Sequence, residues 1–257
     1  MIGAIAGDII GSVYERHNIK TTDFPLFDKG CTFTDDTVLS VAIAEAILTG
    51  SHYGEKLKEF FKLYPERGYG ALFNKWAAHE DSTPYCSMGN GSAMRVNPIG
   101  FAFGTLEEVL KEARRSAEPT HNHPEGIKGA QAVASSIFLA RGGATKKEIK
   151  TYIKKNFGYS FNETIDHIRI HYKYDITCPG SVPQAITAFL ESNDYEDAIR
   201  KAISIGGNSD TIACITGGIS EAYYKKVPNA IIERVKEILD QRLNKIVSKF
   251  TIKYGLD

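Results

Sequence analysis

A chain of 257 residues has the volume for one large hydrophobic core, and its 42% apolar and 24% charged residues are the mixture of a globular protein, not of a disordered or membrane-embedded one. Lys plus Arg equals Asp plus Glu at 31 each, so no net positive field draws the chain to nucleic acid, and any phosphate recognition has to be local. The opening Met1-Ile-Gly-Ala-Ile-Ala-Gly-Asp8 lacks a basic start and meets an acid too early for a signal peptide or membrane span, which reads as a cytoplasmic chain.

Helical periodicity recurs almost throughout and alternating strand patterns are hard to find, so the chain reads as all-α. Residues 2–14 form the first predicted helix, with Gly3, Gly7 and Gly11 at i, i+4 and i+8 making a smooth stripe where a neighbour approaches closely. Three glycines weaken that helix in isolation, so it requires a packed core. Residues 36–48 are a strongly apolar helix with an acidic start, stopping near Gly50. Leu57, Phe60, Phe61 and Tyr64 mark the next stripe, Leu106, Val109, Leu110 and Ala113 another, and 125–140 a third ending before Gly142 and Gly143.

Thr145-Lys-Lys-Glu148 has capping-box spacing, and the lysines from 146 to 155 read as a solvated helix face. The polar, aromatic segment 157–180 reads as an inserted excursion. Helices follow over 182–191, 194–204, 210–223 and 228–247, with Pro228 at a first turn. The total is roughly ten to twelve helices, with no internal repeat and no linker, so the whole of 1–257 is taken as one domain. Cys31, Cys86, Cys178 and Cys214 form no CxxC pair and read as buried free thiols. Trp76 lacks the aromatic company in sequence that a base-stacking platform needs.

Two stretches carry most of the chemistry. Phe33-Thr34-Asp35-Asp36-Thr37 sets two carboxylates and two hydroxyls at a helix start, an oxygen-rich cluster suited to a hard cation such as Mg²⁺ or Mn²⁺; the same residues would also serve as an ordinary helix cap. Gly206-Gly-Asn208-Ser209-Asp210-Thr211 is a second oxygen-rich start before another apolar helix. Two such starts far apart in sequence are harder to explain as independent caps than either alone. Gly89-Asn90-Gly91-Ser92 offers backbone N–H groups suited to a diphosphate, or a plain N-cap. His121 and His123 do not form a metal motif with any nearby thiolate or Glu; His123, Pro124 and Glu125 read as a helix entry. His167 and His171 have i, i+4 spacing and read as a solvated or core-packed pair.

These motifs, together with Gly7-Asp8-Ile-Ile-Gly11-Ser-Val-Tyr-Glu15, Gly89-Asn-Gly-Ser-Ala-Met-Arg95, Thr120-His121 and Pro179-Gly-Ser-Val-Pro183 in that order, resemble the ADP-ribosylglycohydrolase family, whose members include the glycohydrolase that reactivates dinitrogenase reductase. The resemblance implies a single orthogonal multi-helix bundle around a binuclear Mg²⁺ or Mn²⁺ site that binds ADP-ribose and cleaves its glycosidic bond to a protein or small-molecule acceptor. It implies Thr34, Asp35, Asp36, Asn208, Asp210 and Thr211 as metal ligands and Glu15 and Asp36 as catalytic residues, with Glu15 positioning or activating the attacking water or gating the cleft. Ser87, Met88, Gly89, Asn90, Gly91, Ser92 and His121 would contact the substrate. Asp8 is open between a catalytic role and a buried, hydrogen-bonded one. Position 208 is usually Asp in the family; Asn there removes a negative charge and is expected to weaken one of the two ion sites. A non-catalytic ADP-ribose-binding or crystallin-like protein and a metal-dependent phosphohydrolase are the competing readings.

Overall fold

The computed structural model describes residues 1–256, which form fifteen helices: α1 (Ile2–Arg16), α2 (Asp35–Thr49), α3 (Tyr53–Leu63), α4 (Ala71–Ala78), α5 (Gly91–Met94), α6 (Asn97–Ala102), α7 (Leu106–Ala117), α8 (Pro124–Arg141), α9 (Lys146–Phe157), α10 (Ile165–His171), α11 (Cys178–Glu191), α12 (Tyr195–Ser204), α13 (Ser209–Tyr224), α14 (Asn229–Ile238) and α15 (Gln241–Tyr254). Among the described residues the isolated bridge between Gly89 and Thr177 is the sole β pairing. Among the described residues no helix is long and apolar enough to cross a membrane.

The glycine stripe of α1 packs on α13 in antiparallel fashion. A Cβ added at Gly7 would lie 2.1 Å from Ala213 O, one at Gly11 2.5 Å from Asp210 Cα, and one at Gly217 of α13 2.2 Å from Gly3 O. The two backbones therefore touch, which only hydrogen side chains permit. This seam brings the C-terminal end of α1, which carries Glu15, beside the N-terminal end of α13, which carries Asp210. Helix α2 is buried over most of its circumference from Asp36 to Ala46, as expected of a helix that is apolar all round. It ends at Gly50 in the left-handed conformation, φ 68°.

Several boundaries differ from the sequence expectations. The predicted 228–247 helix is two helices: Asp240 accepts a hydrogen bond from Leu243 N at 2.9 Å and so caps a new start, while Pro228 is the cap residue of α14 and not part of its first turn. Helix α11 begins at Cys178, four residues before the expected 182, because Thr177 caps it and Pro179 sits in its first turn where no N–H is missed. Segment 157–180 is no excursion. It contains α10 and then returns along the Gly89 loop, with Asn90 N donating to Ile176 O at 2.7 Å and Cys178 N to Met88 O at 2.9 Å. Helices α4, α5, α6 and α10, together with the division of 228–247 into α14 and α15, account for the excess over the predicted count.

The capping box at Thr145 and Glu148 forms as expected. Lys146, however, leaves the solvated face to sit 5.1 Å over the Phe189 ring and to donate to Tyr224 Oη at 2.9 Å. All four cysteines are free, but only Cys178 and Cys214 are buried; Cys86 is exposed. Trp76 does have aromatic company in space, with Phe73 at 5.5 Å, yet it is buried and offers no open face.

Candidate active site

The two oxygen-rich helix starts meet. Thr211 Oγ1 on α13 donates to Asp36 Oδ2 on α2 at 3.1 Å, and one carboxylate oxygen from each of Asp8, Asp36 and Asp210 falls within 4.8 Å of the others. Asp8, buried on α1, organises this meeting. It accepts from Thr34 N at 3.0 Å, Thr34 Oγ1 at 2.7 Å and Thr37 N at 3.1 Å, and also from the Thr37 hydroxyl. Four hydrogen bonds fill the lone-pair capacity of a carboxylate, so Asp8 holds the start of α2 in place; the sequence left this role open against a catalytic one. Thr34 is at once a helix cap, accepting from Asp36 N at 3.2 Å, and a wall of the cleft. The capping and ligand readings of this motif are not alternatives.

Negative charge accumulates here. Burial, then the charges of Asp210 and Asp8, hold Asp36 well above the usual carboxylate range; burial, then Glu15 and Asp8, do the same to Asp210. Asp35, partly open to solvent but enclosed on most sides, is pushed up to about 8 by burial and by Asp8. Asp36 Oδ1 is buried and accepts no hydrogen bond. An orphaned carboxylate oxygen among crowded acids is the donor set a hard divalent cation takes, since the cation supplies the charge and the ligation the protein lacks.

Asn208 faces this cluster with the wrong group for a ligand. Ser181 Oγ spends its hydrogen on Asp175 O, at 3.2 Å, and so accepts from Asn90 Nδ2 at 2.8 Å; the same nitrogen donates to Asn208 Oδ1 at 2.8 Å. The Asn208 oxygen is thereby occupied, and its Nδ2 turns toward Glu15 Oε1 at 3.3 Å and Asp210 Oδ1 at 3.5 Å. Position 208 presents a hydrogen-bond donor to the acids. The turn before it relies on Gly206 and Gly207, both left-handed with φ 75° and 72°.

A cavity of about 900 Å³ opens over these residues, lined by Glu15, Thr34, Asp35, Asp36, Asn208, Asp210 and Thr211 and, on another wall, by Ser87, Gly89, Asn90, Gly91 and His121. That size suits a ligand as large as a dinucleotide fragment. Two expected substrate contacts are not on its wall. Ser92 is fully buried and donates to Gly126 O at 2.7 Å, and Met88 is 40% exposed outside the cavity. Helix α5 is a single turn, and neither Asn90 nor Ser92 caps it through a side chain, so the plain N-cap reading of that loop does not hold. His123 caps α8, accepting from Glu125 N at 3.1 Å. His167 and His171 are exposed on α10 beside Glu163, with Glu163 Oε1 2.7 Å from His167 Nδ1, and do not line the cavity.

Sequence reasoning passed over Tyr174, whose hydroxyl donates to Glu15 Oε1 at 2.9 Å at the mouth of the cleft. It lies in the aperiodic stretch 157–180, where aromatic content was the sole signal. Arg95 was also left without a role although it is wholly buried; its Nη2 donates to Ser116 O at 2.9 Å and Thr120 Oγ1 at 2.7 Å, while Nε and Nη1 have no partner.

A sequence profile of the ADP-ribosylglycohydrolase family matches residues 1–256. The chain is 26% identical to ADP-ribosylhydrolase ARH3 of Homo sapiens, over 97% of this chain and 93% of that protein. It is 28% identical to an uncharacterized protein of Archaeoglobus fulgidus, over 96% and 94%. Its fold superposes with a TM-score of 0.76 on a solved chain of an ADP-ribosylglycohydrolase-related protein complex, covering 99% of this chain and 96% of that one at 23% identity. With an all-α bundle of the same fold and a profile match along its length, the chain belongs to the ADP-ribosylglycohydrolase family, a family of hydrolases acting on ADP-ribose linkages.

Proposed function

We propose that this chain hydrolyses the glycosidic bond between ADP-ribose and an acceptor, with a divalent cation, Mg²⁺ or Mn²⁺, held by Asp36, Asp35 and Asp210 and by the hydroxyls of Thr34 and Thr211. The observation that carries the reading is Asp36 Oδ1, buried without a partner at the junction of the two helix starts under a cavity of about 900 Å³. A cation there would polarise ribose hydroxyls and offset charge as the bond breaks. The chain's own groups do the rest. Glu15, steadied by Tyr174 and Asn208, orients the attacking water, and the crowded carboxylates favour positive charge developing at the anomeric carbon in an oxocarbenium-like transition state. The loop Gly89–Gly91 and His121 face the diphosphate and ribose side of the ligand.

Asn208 contributes no lone pair to the cluster, so the site would hold one ion firmly where a carboxylate at 208 would support two. The test is incubation with ADP-ribosylated Arg, Ser and other acceptors in Mg²⁺, Mn²⁺ or EDTA. Release of intact ADP-ribose that EDTA abolishes is the expected result; AMP or free phosphate as the product would point to phosphohydrolysis. A second reading, binding without turnover, is favoured by the same Asn208. Tight ADP-ribose binding with no release under any metal, unchanged by Asn208→Asp, would establish it in place of the first.

A further inference from the structure

Arg95, Thr120 and His121 form a chain of hydrogen bonds that leads from the core to the cleft. Arg95 Nη2 lies 2.7 Å from Thr120 Oγ1, which lies 2.7 Å from His121 Nδ1. A guanidinium can only donate, so Thr120 Oγ1 accepts from Arg95 and keeps one hydroxyl hydrogen that it can give to His121 Nδ1. With Nδ1 accepting that hydrogen, a neutral imidazole carries its own proton on Nε2. Nε2 is the ring atom nearest the cleft loop: a Cβ at Gly91 would come 3.1 Å from it and one at Gly89 3.4 Å. The two glycines leave open the space into which that N–H projects.

We propose that Arg95 and Thr120 are positioning residues that fix His121 as the Nε2–H tautomer, so that the cleft presents a permanent hydrogen-bond donor, and not a general base, to an acceptor oxygen of the ligand above Gly89–Gly91. Phosphate and ribose oxygens share that chemistry, and the assignment of the ligand as ADP-ribose rests on the function proposed above. The tautomer does not. Two observations support it beyond the distances. Arg95 is a wholly buried cation that forms no ion pair, an arrangement that costs folding free energy and that capping a carbonyl such as Ser116 O does not require. Burial and the adjacent Arg95 charge also hold the His121 imidazole well below its ordinary pKa, which keeps it neutral at pH 7.

The experiment is long-range ¹H–¹⁵N correlation NMR of the full chain at pH 7 without ligand, with His121→Asn used to assign the ring signals. The expected spectrum has Nδ1 as the unprotonated nitrogen and Nε2 as the protonated one. Thr120→Val, which keeps the side-chain shape and removes the hydroxyl, should give a mixture of tautomers and weaken ADP-ribose binding by roughly 3- to 10-fold; Thr120→Ser should restore both. A wild-type ring that is protonated on Nδ1, or a Thr120→Val ring with the wild-type pattern, overturns the proposal. If Thr120→Val does not fold, the wild-type and Thr120→Ser spectra still decide it. Absence of ADP-ribose release with the expected spectrum would count against the proposed function alone.

Discussion

Replacing Asn208 with Asp puts a carboxylate oxygen where Nδ2 now stands, 3.3 Å from Glu15 Oε1 and 3.5 Å from Asp210 Oδ1. At charge separations near 4 Å and an effective dielectric of about 20, each neighbour that is ionised would repel it by about 4 kcal/mol. Protonating a carboxyl at pH 7 costs about 4 kcal/mol, some three pH units at 1.36 kcal/mol each. Uptake of a proton caps the cost, so the metal-free variant loses no more than about 4 kcal/mol, or roughly 8–16 °C in Tm. Each further pH unit adds about 1.4 kcal/mol to that limit, so the gap to wild type widens from pH 6 to pH 8. A divalent ion reverses the sign, because the added carboxylate becomes a ligand. Calorimetric titration and elemental analysis should then give one ion per wild-type chain and two per Asn208→Asp chain, with the Tm deficit erased in excess Mg²⁺ or Mn²⁺. Equal melting in EDTA at pH 8 together with equal ion counts would refute the reasoning.

Other outcomes follow from the same contacts. In EDTA, the pKa of Asp35, raised to about 8, means that stability present near pH 4 is lost as pH rises through about 8, and the raised Asp36 and Asp210 act in the same direction; Tm measured against pH should fall between pH 4 and 8, and a flat profile would count against the crowding. Asp36→Asn removes one of the crowded charges and should raise the metal-free Tm above pH 7 while abolishing ADP-ribose release. Tyr174→Phe deletes the hydrogen bond to Glu15, worth about 1 kcal/mol, and should lower kcat roughly fivefold while lowering Tm by no more than about 2–4 °C. Gly7→Ala drives a methyl to 2.1 Å from Ala213 O, and the strain of separating α1 from α13 should cost about 3 kcal/mol or more, read as a lower denaturation midpoint.

The elements legible in the sequence are those whose signal is local and long. The stripe Gly3, Gly7 and Gly11 announces a close helix contact, although only the fold identifies the partner as α13 through Ala213 and Gly217. Two acidic helix starts announce a shared site, and Thr211 bonded to Asp36 joins them. What stayed illegible depends on distant partners. The orientation of the Asn208 amide is decided by Asn90 and Ser181, neither near it in sequence, so the sequence could supply the missing charge but not the turned donor. Helix α5, four residues long, cannot form without its neighbours and leaves no periodic trace. The Asp240 cap was hidden inside a continuous apolar pattern, and Tyr174 inside a stretch with no pattern.

One arrangement ties the stability of this chain to its chemistry. Burying Asp8, Asp36 and Asp210 within 4.8 Å of one another is unfavourable for the folded chain, and what holds them there is contact energy from elsewhere: the backbone-to-backbone seam of α1 and α13, and the four hydrogen bonds by which Asp8 fastens the start of α2. A seam of glycines suits this task because backbone contact leaves no side chain free to adopt another rotamer, so Asp210 is fixed relative to Asp8 to within the play of two helices in contact. A looser seam would let the acids move apart and relax their repulsion. The same relaxation would remove the preformed donor set, so a variant such as Gly7→Ala should lose cation affinity along with stability, whereas Asp36→Asn should lose the first and gain the second.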